Sequence, residues 1–290
     1  MAAPLMGVVS DVERKLARLR ALQEGDGVPE LRTSTMTHIV WAPTRWLGRA
    51  QKVLEGLAER HPSRTIFLVP EEEKPDGVEA RAAVRDFAVG GGREVLSEVI
   101  EVRLRGRSAE HPASVVLPLL ISDLPAFCRW RGEPAWGGSA LAELASVCDR
   151  FVVDSNEWDD LRGAYGELAG LFGGPAVSDL AWRRTLPWRS RLAELWPGIR
   201  RIEKLRVTAP KADALLLHAW LATRLRREIR LDHVSAEWVR EVRVDGVAVA
   251  EPFTDRPTGS QLLSAELDTL ARDPVYEATV GAFAPARRRA

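Results

Sequence analysis

"TSTMTHIVWAPTRWLGRAQKVLEGLAERHPSRTIFLVP", residues 33–70, decides the fold. Its first part, 33–42, is rich in β-branched residues and reads as a strand. Pro43 and Thr44 then open a helix, with Leu47, Ala50, Leu54, Leu57 and Ala58 as its apolar stripe. "HPSR" stops that helix, and "TIFLVP" is a short apolar strand closed by Pro70. Strand, helix and strand within about 35 residues make a βαβ unit, whose two strands run parallel.

Downstream, "VEARAAVRDFAV" and "REVLSEVIEVRLRG" flank Gly90-Gly91-Gly92 and read as a hairpin. Ile100, Val102 and Leu104 share one face of its second strand, and Glu101, Arg103 and Arg105 the other. The sheet is therefore expected to be mixed. Ser108 can cap a short helix. "PAFCRW" and "RFVVDS" read as further strands, with the helix "SALAELASVC" between them and Ser139 as its cap. Trp158 opens a helix through Leu171, and Ser178 or Asp179 caps another that runs to Trp196. Pro187 predicts a kink or break inside it. Helices and strands alternate over residues 31–196, the pattern of an α/β domain with a mixed, largely parallel sheet flanked by helices.

Two other segments flank this domain. Residues 1–30 read as an N-terminal helical arm, with a helix over Ser10–Gln23 capped by Ser10. "WPG" at 196–198 marks a boundary, and 197–290 read as a smaller α+β C-terminal domain. It would hold the strand "IRRIEKLRVTA", the largely apolar helix "ADALLLHAWLATRLRREI", a hairpin turning at Asp245-Gly246 and the last helix "QLLSAELDTLARDP".

Composition narrows the function. Lys+Arg and Asp+Glu are both 41, so the formal net charge is zero. A nucleic-acid binder is usually basic. No apolar run is long enough to cross a membrane, and the N-terminus is a poor secretory signal, so a cytoplasmic location is expected. Cys128 and Cys148 are expected to be reduced, buried thiols. Ten Trp against two Tyr is unusual, and six of the ten lie between Trp130 and Trp196. Trp fills cores, and it also anchors binding surfaces.

The familiar chemical signatures are missing. There is no G-x-G-x-x-G after a strand, no G-x-x-x-x-G-K-[ST] and no G-x-S-x-G. The five histidines show no metal-ligand spacing, so neither a metal nor a cofactor is expected. "VVDSNEWDD" carries Asp154, Glu157, Asp159 and Asp160. They would suit acid–base work, or Asp154 or Ser155 caps the next helix. What recurs is Arg beside Trp. Arg129, Trp130 and Arg131 end a predicted parallel strand, and Trp182, Arg184, Trp188 and Arg189 lie on a helix. Arg64 opens a strand and sits at its other end. Ligands of open α/β sheets collect at the carboxyl ends of strands, which places Arg129, Arg131, Asp154 and Ser155 at that edge. The same residues fit an anionic ligand, a protein partner or structural stacking of Arg on Trp.

"RTSTMTHIVW", "HPSRTI", "DLPAFCRWRGEP", "RFVVDSNEW" and "DLAWRRTLPWR", in this order and spacing, resemble the OpcA family of glucose-6-phosphate dehydrogenase assembly proteins. The resemblance covers about residues 32–196. It implies a non-catalytic partner of the oligomeric dehydrogenase that opens the oxidative pentose phosphate pathway. Such a partner promotes the enzyme's active, substrate-responsive form. The resemblance supplies no catalytic residues. The alternative expectation is a sugar-phosphate or nucleotide-binding module, or a transferase, using the Arg/Trp-rich strand ends.

Overall fold

The computed structural model describes residues 2–23, 34–57, 60–89, 93–252 and 255–284. In chain order it holds α1 (Ala2–Gln23), β1 (Met36–Trp41), α2 (Thr44–Glu55), β2 (Ser63–Glu71), β3 (Gly77–Val89) and β4 (Arg93–Arg105). Then come α3 (Ala113–Val116), β5 (Ala126–Trp130), α4 (Ser139–Val147), β6 (Arg150–Val153), α5 (Leu161–Leu168), β7 (Ala176–Asp179) and α6 (Leu180–Glu194). The rest is β8 (Lys204–Ala209), α7 (Lys211–Leu225), β9 (Arg230–Ser235), β10 (Glu241–Val244), β11 (Val247–Ala248), α8 (Gly259–Leu267) and α9 (Pro274–Gly281).

The larger sheet has seven strands in the order β3-β4-β2-β1-β5-β6-β7. The pairs β4–β2, β2–β1, β1–β5 and β5–β6 are parallel, while β3 is antiparallel to β4. The fold is α/β with a mixed, largely parallel sheet flanked by helices. A second sheet has the order β11-β10-β8-β9, in which β8 and β9 are parallel and joined through α7. No helix among the described residues is long and apolar enough to cross a membrane.

The chain divides into two compact units, Met1–Val152 with Gly259–Leu270, and Val153–Thr258 with Ala271–Ala290. In the first, β1 and β5 are buried on both faces, so neither shows the alternation of a half-exposed strand. The order reverses at β1: the βαβ crossover leads to β2 on one side, and β5 lies on the other. α1 belongs to this unit and buries Val12 and Leu16. α8 closes on α2 at Gly56, where a Cβ would lie 2.5 Å from Ser260 Oγ. In the second unit, Asp245 and Gly246 take positive φ at the β10–β11 turn, as a tight hairpin requires.

Several local expectations are corrected. α1 starts at Ala2, so Ser10 lies inside it and caps nothing. α2 stops at Glu55, and Ala58 lies outside the described residues, as does the Gly90–Gly92 turn. The residue capping α4 is Gly138 rather than Ser139. α5 begins at Leu161, capped by Asp160, and not at Trp158. Ser108 falls inside a 3-10 turn over Gly106–Glu110. α6 continues through Pro187. Proline removes one intrahelical bond, but Trp182, Thr185, Trp188 and Leu192 are buried on either side and hold the helix together. β7, β9 and α9 were not anticipated, because each is short and none has a clear period.

Candidate functional site

The first unit places the expected strand-end residues around β1 and β5. Trp41 and Trp130 are register partners, and their rings stack at 4.6 Å. The chain leaves β5 through Arg131, whose N–H donates to Trp41 O at 2.9 Å. The Arg131 guanidinium lies 4.7 Å from the centre of the Trp46 ring, and that of Arg49 lies 5.4 Å away. Gly132 follows with φ +81, and a Cβ there would meet Trp46 Nε1 at 3.1 Å. Only glycine suits both conditions. Arg129, Trp130 and Arg131 are all buried.

Arg129 donates to the carbonyls of Trp130 and Val152, inside the sheet. Burial, with the Arg129 charge next in size, pushes the neighbouring His38 down to about 3. His38 is therefore a neutral imidazole at physiological pH. Arg64 sits at the amino end of β2 and is also buried. It donates to Glu98 at 2.7 Å, Glu13 at 2.8 Å and the Leu119 carbonyl at 2.9 Å, and so ties β2 to β4, α1 and the turn after α3. Cys128 and Cys148 are free and buried, and burial raises the Cys128 thiol well above its usual range.

The second unit gathers a charged cluster that the sequence suggested only in part. Arg184 donates to Asp154 at 2.6 and 3.2 Å and to Asp213 at 3.0 Å. Asn156 Nδ2 donates to the other Asp213 oxygen. Asp154 also caps the 3-10 turn over Ser155–Glu157, as one sequence reading required. Beside it, Asp179 Oδ1 accepts from the N–H groups of Ser155 (3.0 Å) and Ala181 (2.8 Å), and Tyr165 donates to Ser155 Oγ at 2.7 Å. Asp154, Ser155 and Arg184 are thus brought together. Asp179, Asp213 and Tyr165 are additions.

The electrostatics follow from burial. Asp213 is fully buried, which raises its carboxyl despite the Arg184 charge. Burial and then the nearby Asp154 charge lift Asp179 to about 7. Burial disfavours the Arg184 charge, but Asp154 and Asp213 outweigh it and hold the guanidinium above its usual value. One arginine therefore serves two carboxylates, while a third, Asp179, is raised to about 7.

The remaining Arg/Trp residues pack on α6. Arg189 stacks 3.3 Å from the centre of the Trp182 ring and donates to the Trp182 carbonyl at 3.2 Å. Trp182 Nε1 donates to Asp273 at 2.7 Å, and Asp273 caps α9. Trp188 is fully buried in the same unit. Trp182 and Arg189 meet, whereas Trp188 serves the core. Sequence reasoning missed Asp213, although a lone carboxylate in the apolar run "ADALLLHAW" was the available signal, since a buried Asp needs a partner.

Comparison with known proteins adds to this geometry. Residues 54–169 match the family described as the glucose-6-phosphate dehydrogenase subunit N-terminal domain. Residues 175–252 match its C-terminal domain. Two curated relatives, from Nostoc punctiforme and a Synechocystis strain, carry the provisional name OxPP cycle protein OpcA. Each is 28% identical over 186 residues, 60% of this chain. This chain belongs to the OpcA family. The match covers 40% of the Nostoc relative and 39% of the Synechocystis one, so the chain spans less than half of either. Within the OpcA pattern, Asp154 lies in the first matched segment, and Arg184 and Asp213 in the second. The Arg184–Asp154 ion pair therefore ties the two family segments to each other inside one compact unit.

Proposed function

We propose that this OpcA-family chain is a non-catalytic assembly factor and allosteric activator of glucose-6-phosphate dehydrogenase. It binds the oligomeric enzyme in the cytoplasm and favours its active, substrate-responsive form. The observation that supports this reading is the pair of matches, in order, to the N-terminal and C-terminal domains of the OpcA family. The side-chain chemistry supports it. Arg64, Arg129, Arg184 and Arg189 brace the frame from within, as do Trp130, Trp182 and Trp188. On this reading each compact unit is held rigid for the partner by its own set, Arg64, Arg129, Trp130 and Arg131 in the first and Asp154, Ser155, Trp182, Arg184, Trp188 and Arg189 in the second.

The physical mechanism is linkage. A partner that prefers the active state shifts the enzyme towards it by the difference in affinity, and substrate must tighten the partner's binding by the same factor. A typical coupling gives about 5–150-fold. The test mixes the purified chain with the dehydrogenase of the same organism. The two should co-elute, and the half-saturating glucose 6-phosphate should fall within that range. Separate elution with unchanged kinetics would refute the reading.

A further inference from the structure

A cavity of about 250 Å³ opens in the second unit where β8 passes into α7. β8, α7 and β9 form a parallel βαβ unit, and the cavity sits near its carboxyl edge: Lys211 lies two residues beyond β8, and His233 two residues before the end of β9. That edge is where α/β units collect ligands, because the helix presents unbonded N–H groups there. α7 has 15 residues, and its N-cap, Pro210, supplies no side-chain bond that would compete for those groups.

The lining is divided by chemistry. Lys211 and Arg162 bring two cations, and among the described residues no ion pair engages either. Arg162 instead rests 5.8 Å from the centre of the Phe283 ring. Asp160 and His233 bring acceptors. The His233 Nε2–H donates to the Ala209 carbonyl at 2.9 Å, so Nδ1 is the ring atom left for a ligand hydroxyl. Asp160 spends one oxygen on the Gly163 N–H and keeps further lone pairs. Leu161, Leu215 and Leu231 supply an apolar wall.

From this division we propose that the cavity binds a phosphate monoester of a small polyhydroxylated molecule, a ligand of sugar-phosphate size. The phosphate meets Lys211, Arg162 and the amino end of α7. The hydroxyls donate to Asp160 and His233, and the carbon skeleton rests on the three leucines. A plain carboxylate would use the cations and leave the acceptors idle. The volume lies just below the usual range of ligand pockets, which favours a compact ligand over a nucleotide.

The test uses this chain alone, so its outcome is separate from that of dehydrogenase binding. Calorimetric titration with glucose 6-phosphate should show saturable binding. Inorganic phosphate should bind about tenfold or more weakly, and glucose not at all over the same range. Lys211→Ala and Arg162→Ala should each weaken binding roughly tenfold to hundredfold, the loss of one charge-assisted bond. Lys211 is exposed, so Lys211→Glu should keep the fold and abolish binding even if Arg162→Ala does not fold. Arg191→Ala, at an exposed surface pair, should change nothing. Absence of saturable binding, or affinity indifferent to both Lys211 variants, overturns the proposal. Equal affinity for inorganic phosphate and the sugar phosphate also overturns it.

Discussion

Asp179→Asn should make this protein less sensitive to rising pH. Asp179 is fully buried, and its carboxyl is lifted from 3.8 to about 7, first by burial and then by the Asp154 charge. A raised carboxyl pKa means that the native state holds its proton more tightly than the unfolded chain does. The stability this proton confers is complete below about pH 4, and is lost as pH rises to about 7. Three pH units at about 1.36 kcal/mol each give roughly 4 kcal/mol, an upper figure because buried sites relax. Asparagine keeps the acceptor for the Ser155 and Ala181 N–H groups but carries no charge to desolvate. Urea unfolding of both proteins between pH 4 and 8 measures the effect. The variant minus wild-type difference should grow with pH at up to about 1.4 kcal/mol per unit, then level off above pH 7. His38, held down at about 3, gives both proteins a slope of the opposite sign, so the difference removes it. A difference flat to within about 1 kcal/mol across that range would refute the assignment of the charge cost to Asp179.

Other perturbations test other parts of the frame. Arg184→Met leaves the buried Asp213 carboxylate without its cation, and should cost about 3–5 kcal/mol at pH 7 by chemical denaturation. Asp213→Asn in the same chain should recover much of that loss. Arg64→Ala removes the bonds to Glu98, Glu13 and Leu119, so hydrogen exchange in α1 should speed up before exchange in β5 does. Trp196 is 59% exposed, with the Arg200 guanidinium 5.4 Å from its ring centre. If it anchors the dehydrogenase, Trp196→Ala should leave stability within about 0.5 kcal/mol yet weaken the complex by 2 kcal/mol or more, read by titration against the enzyme.

The crossover over 33–70 was legible because its two periods are clean: β-branched runs at each end and a 3–4 residue apolar stripe between them. The β3–β4 hairpin was legible for a similar reason, with Ile100, Val102 and Leu104 buried and Arg103 and Arg105 paired to Glu71 across the sheet. The burial of Arg129 was not legible. A central parallel strand is covered on both faces, so polarity no longer marks the outside. Arg129 can lie inside because the Trp130 and Val152 carbonyls receive its N–H groups, and the Val152 carbonyl is brought there by β5–β6 pairing, 23 residues away in sequence. The Asp213 partners lie 29 and 57 residues away, at Arg184 and Asn156, beyond the reach of any local pattern.

The buried arginines also bear on how an effector works. An effector changes its partner only through unequal affinity for two of the partner's states. A face that adapts to both states binds both and shifts neither. Discrimination therefore calls for side chains already fixed before contact, and fixing them in advance also removes ordering costs from the binding step. The frame here is held by such contacts: Arg64 joins elements 34 to 55 residues apart in sequence, and Arg184 bridges two carboxylates across the two family segments. On the proposed reading, loosening Arg184 would let the face fit both enzyme states. The complex would still form, but the fall in half-saturating substrate would shrink. A variant that lost affinity and coupling in equal measure would instead place Arg184 beneath the contact itself.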